Sequence, residues 1–289
     1  MTQRMGITVF AIAALACLAI APQVRAQGMG AQQSQQQQTP PKRPSLLNPA
    51  PQTPAAPKID PKEEAAYQAF YSLKPATPAD FTAQVQAGEA FLKNYPQSRY
   101  LPVIYSRLTN AYFETHNMDK MYAAADKTLQ LNPNDVSVLT LVGWVIPRGN
   151  PNAPGFAEKL TKAEQYEKHA LQILATLPKP VAITDAQFAD SKASAIAQAH
   201  SGLGLVYFRE SKFDQSAAEL TQATGGNPHP DPTDYFVLGV VQEQLKKFAD
   251  AEKSFTSCSQ IQSSLQDRCK QGAAESKAKA ATQLQPPKS

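Results

Sequence analysis

Histidine, cysteine and tryptophan are scarce in this chain: four, three and one among 289 residues. His116, His169, His200 and His229 are scattered, with no H-x3-H or H-E-x2-H spacing, so no helix-borne metal site is encoded. There is no G-x-S-x-G elbow, no phosphate-cradling glycine loop and no paired-carboxylate motif. Gly202 and Gly204 give G-x-G only, inside a helical stretch, where packing accounts for them. These absences predict a non-enzyme with no catalytic residue, no metal and no cofactor. No segment shows the apolar-polar alternation of a strand. Nor does any apolar run comfortably reach the roughly 20 residues that a membrane-spanning helix needs.

The two ends of the chain stand apart from the rest. Met1 to Ala26 has Arg4 near its start, an apolar run from Gly6 to Ile20 and the small-residue site Val24-Arg25-Ala26, which reads as a secretory signal peptide cut after Ala26. Ala14-Leu15-Ala16-Cys17 offers an alternative, a lipoprotein-type signal with lipidation at Cys17, but Ala14 stands where leucine belongs in that pattern. Residues 27–60, rich in Gln, Pro and Ala, bury too little apolar surface to offset their ordering entropy and read as a disordered linker. Residues 277–289 read as a second disordered tail. Without Arg4 and Arg25 the 28 basic side chains fall to 26, against 24 acidic ones. That balance argues against nucleic acid, which calls for a concentrated basic stripe. Attraction to an envelope surface stays open.

What is present is repetition. HSGLGLVYFRESKFDQSAAEL, His200 to Leu220, returns as YFVLGVVQEQLKKFADAEKSF, Tyr235 to Phe255. Leu203 aligns with Leu238, Gly204 with Gly239, Phe213 with Phe248, Ser216 with Ala251 and Leu220 with Phe255, all at one interval. A helix-interior glycine costs about 1 kcal/mol relative to alanine. Its return at a fixed interval points to a close helix-helix contact that offsets the cost.

The first of these units matches the W-x2-L-G-x2-Y, A-x3-F, P pattern at His200, Leu203, Gly204, Tyr207, Ser216, Leu220, Ala223 and Pro228, and so resembles the tetratricopeptide (TPR) repeat family. Other units read as Pro61 to Pro96, Pro102 to Pro133, Asp135 to Leu177 and Pro232 to about Ser264. Thr109 and Met121 replace the small residues of the second unit, which predicts helices slightly further apart. Pro147 to Gly155 interrupts the third as an inserted loop, after which Ala163 and Ala170 take the small positions. Ile183 to Arg209 reads as an extended first helix, and the Ala-rich stretch after the fifth unit as a capping helix. The resemblance implies an all-α, right-handed α-solenoid of about five TPR-like hairpins plus the cap, spanning residues 61–276.

Cys258 and Cys269 fall late in one helix and early in the next, an arrangement that a short turn can bring within bridging distance in an oxidising compartment. A disulfide is expected over two buried thiols.

TPR solenoids bind a peptide or partner helix in the concave groove lined by the first helix of each pair. Carried across, that role falls on Val103, Ser106, Asn110, Phe113, Thr140, Trp144, Arg148, Ser201, Leu205, Phe208, Phe236, Val240 and Glu243. The Lys/Arg set that clamps a terminal carboxylate in some family members is not reproduced. Trp144 stands out as an aromatic anchor, against a bland role packed under the Pro147 to Gly155 loop. The expected function is an exported, non-enzymatic protein- or peptide-binding scaffold of the bacterial cell envelope, periplasmic or secreted. The alternative is an envelope assembly factor anchored through Cys17.

Overall fold

The computed structural model describes residues 60–225, 227 and 230–283. The signal sequence, Cys17, nearly all of the linker and His229 lie outside them. Among the described residues there are eleven α-helices and no strand. They form five consecutive hairpins and a cap: α1 (Pro61–Tyr71) with α2 (Pro78–Asn94), α3 (Leu101–Glu114) with α4 (Met118–Leu131), α5 (Val136–Val145) with α6 (Phe156–Thr176), α7 (Asp185–Arg209) with α8 (Phe213–Thr224), α9 (Pro232–Gln244) with α10 (Phe248–Gln260), then α11 (Gln266–Gln283). A 3-10 turn, Ile146–Arg148, opens the inserted loop of the third hairpin.

Local chemistry sets where these helices begin. Asp60, Asn117, Asp135 and Asp231 accept backbone N–H groups at their N-caps. Thr77 with Asp80 and Thr184 with Gln187 form reciprocal capping boxes. Pro61, Pro78 and Pro232 sit in the first turn, where their missing N–H is no loss.

Three hairpins turn by the same device. His116, Ser211 and Lys246 adopt left-handed backbone angles, with φ of 58°, 58° and 56°. In each case the following N–H reaches back to the helix it has left: Asn117 to Tyr112 O, Lys212 to Tyr207 O and Lys247 to Gln242 O, all at 2.8 Å. The third hairpin alone needs its inserted loop, which ends on Gly155 at φ 70°.

Inside the hairpins the recurring glycines serve as the spacing predicts. A Cβ on Gly204 would sit 2.5 Å from Leu220 Cγ, and one on Gly239 would sit 2.8 Å from the Phe255 ring. Bare backbone is what lets the facing side chain seat. In the second hairpin Thr109 and Met121, both fully buried, replace the small residues, and Ala125 stands where Leu220 and Phe255 stand. Small and large exchange places, so the added bulk of Thr109 and Met121 is partly offset by the smaller Ala125.

Packing passes along a row of first helices: α3 against α5, α5 against α7, α7 against α9 and α9 against α11. The cores follow as linked clusters, around Leu108 and Phe91, then Val142 and Leu203, then Leu220 and Leu238. At the start of the row, Arg107 of α3 donates to Phe70 O, Tyr71 O and Leu73 O, capping the end of α1.

At the other end α11 takes the place of a sixth first helix. Cys258 and Cys269 are disulfide-bonded with Cα atoms 5.7 Å apart, and both are fully buried. The helix continues to Gln283, past the point where a disordered tail is expected. Lys279 donates to Glu243, and Gln283 Nε2 to the carbonyl of Lys246, so the Ala-rich segment is held to α9 and the turn after it.

Candidate functional site on the first-helix row

Five side chains from three hairpins meet on this row. Trp144 lies in the last turn of α5, and the 3-10 turn that follows brings Arg148 back over the indole, with guanidinium and ring centroid 3.7 Å apart. Arg148 Nη1 donates to Trp144 O at 2.9 Å. Its Nη2 reaches Ser201 Oγ of α7 at 3.1 Å, Asp231 at 2.9 Å and Asp234 of α9 at 3.4 Å. Ser201 in turn donates to Asp234 at 2.7 Å. Phe113 of α3 packs on Trp144 in an edge-to-face arrangement, with ring centroids 6.0 Å apart.

Burial separates the two acids. The Asp231 side chain is 26% exposed and that of Asp234 only 3%. Desolvation, opposed by Arg148 and reinforced by the charge of Asp231, pushes the Asp234 carboxyl up to about 7. One guanidinium thus faces two carboxylates, one of them titrating near neutrality. Trp144 and Arg148 present a flat cation-π surface beside them, the kind of surface on which aromatic and arginine anchors act.

A second acid lies just behind. Glu167 of α6 is fully buried, and neither carboxyl oxygen has a hydrogen-bond partner. Its carboxyl fills the space that Cβ atoms would take on Gly143 and Gly202: Oε1 would stand 2.5 Å from the first and 2.1 Å from the second. Those glycines immediately precede Trp144 and follow Ser201. Desolvation raises the Glu167 carboxyl well above the usual carboxylate range, and Arg148 opposes this only in part.

The thirteen residues expected to line the groove divide accordingly. Trp144, Arg148 and Ser201 come together in the node, Ser201 as a buried member. Trp144 packs against Phe113 of the preceding hairpin as well as under Arg148 of the loop. Val103, Ser106, Asn110, Phe113, Phe208 and Val240 are partly exposed along the same row. Thr140 and Leu205 are closed off. Thr140 is 2% exposed and donates back to Val136 O, while Leu205, at 5%, packs among Leu220, Val237, Leu238 and Val241. The reason is the close approach of neighbouring first helices, which covers side chains at the seam. Phe236 and Glu243 are engaged by the cap: Arg268 lies over the Phe236 ring at 4.6 Å, and Ser276 and Lys279 both donate to Glu243 at 2.8 Å.

Sequence reasoning did not single out Asp231, Asp234 or Glu167. The first two are N-cap and first-turn residues whose second role depends on Arg148 from another hairpin. Glu167 had a signal. Once the inserted loop is allowed for, Ala163 and Ala170 align with Ser216 and Ala223, and Glu167 falls on Leu220 and Phe255.

The three described histidines take structural parts: His200 Nδ1 lies 2.6 Å from Glu219, His169 bonds Asn134, and His116 forms a turn. Among the described residues no group of three or more His, Cys, Asp or Glu could hold a metal ion, and no helix is long and apolar enough to cross a membrane.

No family profile matches the chain, and no curated protein matches it. Solved structures do. The type IV pilus biogenesis factor PilW is 14% identical over 78% of this chain and 96% of its own, with a TM-score of 0.49. A thermophilic TPR protein from Thermus thermophilus is 16% identical over 75% and 99%, at 0.44. A tetratricopeptide repeat protein from Parabacteroides merdae is 14% identical over 74% and 91%, at 0.34. With identities and scores this low, the repeat stands on the chain's own glycines, caps and turns: the protein is an all-α array of TPR-like hairpins closed by a capping helix.

Proposed function

We propose that this protein is an exported, non-enzymatic scaffold that takes a protein or peptide segment on its first-helix row, centred on Trp144 and Arg148. The observation that carries the reading is the node itself: the only tryptophan of the chain, partly exposed, packs against Phe113 and under Arg148, which pairs with Asp231. Aromatic and arginine anchors dominate binding energy at such centres. The Cys258–Cys269 bond supports an oxidising compartment, in keeping with the leader-like first 26 residues.

The test is site-directed photocrosslinking in the native host, with the reactive residue at 144 and, as control, at the exposed Gln130 on α4. An adduct at 144 that is absent at 130, and that is lost on Phe208→Ala, is expected. Equal labelling at both positions would defeat the reading. A mature chain beginning at Gln27 is expected from N-terminal sequencing, whereas a lipid-modified Cys17 would replace secretion with anchoring.

A further inference from the structure

We propose that Glu167 is the positioning residue of the Trp144–Arg148 site: its uncharged carboxyl, enclosed between Gly143 and Gly202, keeps the α5–α7 seam closed, and deprotonation opens that seam and displaces Trp144, Arg148 and Ser201. This deepens the reading of that site as the partner surface and rests on it.

The geometry makes the proposal. Glu167 has no solvent exposure and neither of its oxygens has a protein hydrogen-bond partner, so bulk water does not reach a charge there. A carboxylate in such a place is far costlier than a neutral acid. The surroundings offer little compensation. α5 carries no titratable side chain at all. The 3-10 turn contributes Arg148, whose bonds are spent on Trp144 O, Ser201, Asp231 and Asp234. On α7, His200 is taken by Glu219 of α8 and Tyr207 donates to Glu164. On α6 itself, Glu164 and Lys168 pair with each other. Burial therefore favours the protonated form of Glu167 and raises its carboxyl well above the ordinary glutamate value.

Linkage to the site follows from position. Gly143 and Gly202 are the points where α5 and α7 close on α6, and each is one residue from a member of the node, Trp144 or Ser201. An ionised Glu167 must reach either water or Arg148. The first course parts the glycines; the second withdraws Arg148 from Asp231 and Asp234.

The experiment follows the Glu167 side-chain carboxyl carbon and the Trp144 indole N–H by NMR as pH rises, in the full chain and in the Glu167→Gln and Asp234→Asn variants. The expected result is a Glu167 carbon that ionises well above the ordinary glutamate range. The Trp144 signal should move with the same midpoint in the wild type and in Asp234→Asn, and that step should vanish in Glu167→Gln. The Asp234→Asn arm removes the titration of Asp234, whose carboxyl is also raised by desolvation. A Glu167 carbon titrating in the ordinary glutamate range overturns the proposal, and so does a Trp144 signal that ignores Glu167. The wild-type titration decides between these outcomes even if a variant fails to fold. Crosslinking at 144 that persists unchanged after Glu167 ionises would also sink the proposal, while leaving the partner surface standing. No crosslinking at any pH would sink the partner surface and leave the seam titration to be judged by itself.

Discussion

Glu167 and Phe255 occupy the same place in the third and fifth hairpins. Each lies between a glycine of its own hairpin and a glycine of the next first helix: Gly143 and Gly202 for the acid, Gly239 and Gly272 for the ring. In the fifth hairpin the clamped side chain is apolar, lies 5.8 Å from Phe236 and is reinforced by the neighbouring Cys258–Cys269 bond. In the third it is an acid without a hydrogen-bond partner. The same backbone thus builds one seam for cohesion and one whose cohesion depends on a proton. The acid stands next to the partly exposed Trp144–Arg148 node and the ring next to the cap.

The comparison can be broken most severely by exchanging the two chemistries. Phe255→Glu should destabilise the protein by about 4 kcal/mol or more, since the lost ring burial adds to the cost of an unpaired buried acid. Urea unfolding followed by circular dichroism measures it, and a loss below about 1 kcal/mol would mean that the two seams are not equivalent.

Replacing both Cys258 and Cys269 with serine should cost about 2–3 kcal/mol. Hydrogen exchange should speed up in α10 and α11 and stay unchanged at the α5–α7 seam, because stability in a hairpin array is passed only between neighbours. Loosening of α5 and α7 would contradict that independence.

The reverse exchange, Glu167→Leu, should stabilise by about 1–2 kcal/mol near neutral pH. It should also flatten the pH dependence. Glu167 is held above its ordinary 4.5 by desolvation, so the folded chain keeps a proton that the unfolded chain releases. Its contribution is complete below 4.5 and is lost as the pH climbs toward and through the folded value. Acids such as Glu64, Glu89 and Glu164, whose hydrogen bonds hold them below the ordinary value, act in the opposite sense. An unfolding series in pH on wild type and variant isolates the difference, and parallel curves would remove Glu167 as its source.

The smallest effects are expected at the turns. Lys246→Gly should stabilise the fifth hairpin by about 0.5–1 kcal/mol, because glycine takes a left-handed backbone without strain. Gly155→Ala, at the start of the long helix that carries Glu167, should destabilise by about 1 kcal/mol. Thermal melts of the two variants moving in the same direction would contradict the turn geometry.

Most of the fold was legible because its determinants are local or periodic. Gly204 and Gly239 announce close contacts by recurring, and the unit boundaries at Pro61, Asp135 and Pro232 fall at helix starts. The inserted loop and the long α7 showed themselves as departures from that period. The site was legible only in part. Trp144 and Arg148 could be placed on the row through the resemblance to TPR repeats, whereas the burial of Thr140 and Leu205 follows from how near the adjacent first helices come. No single hairpin's sequence states that distance.

The sequence by itself determined the hairpins, their order and their close-packed positions, because caps, turns and small-residue contacts act over one or two helical turns. Only the tertiary structure decided that Arg148 would be shared by Ser201, Asp231 and Asp234, and that Glu167 would be sealed between two glycines without a partner. Those outcomes depend on desolvation and on charges brought together from distant segments, and burial becomes a property of a residue only once the neighbouring hairpins have closed over it.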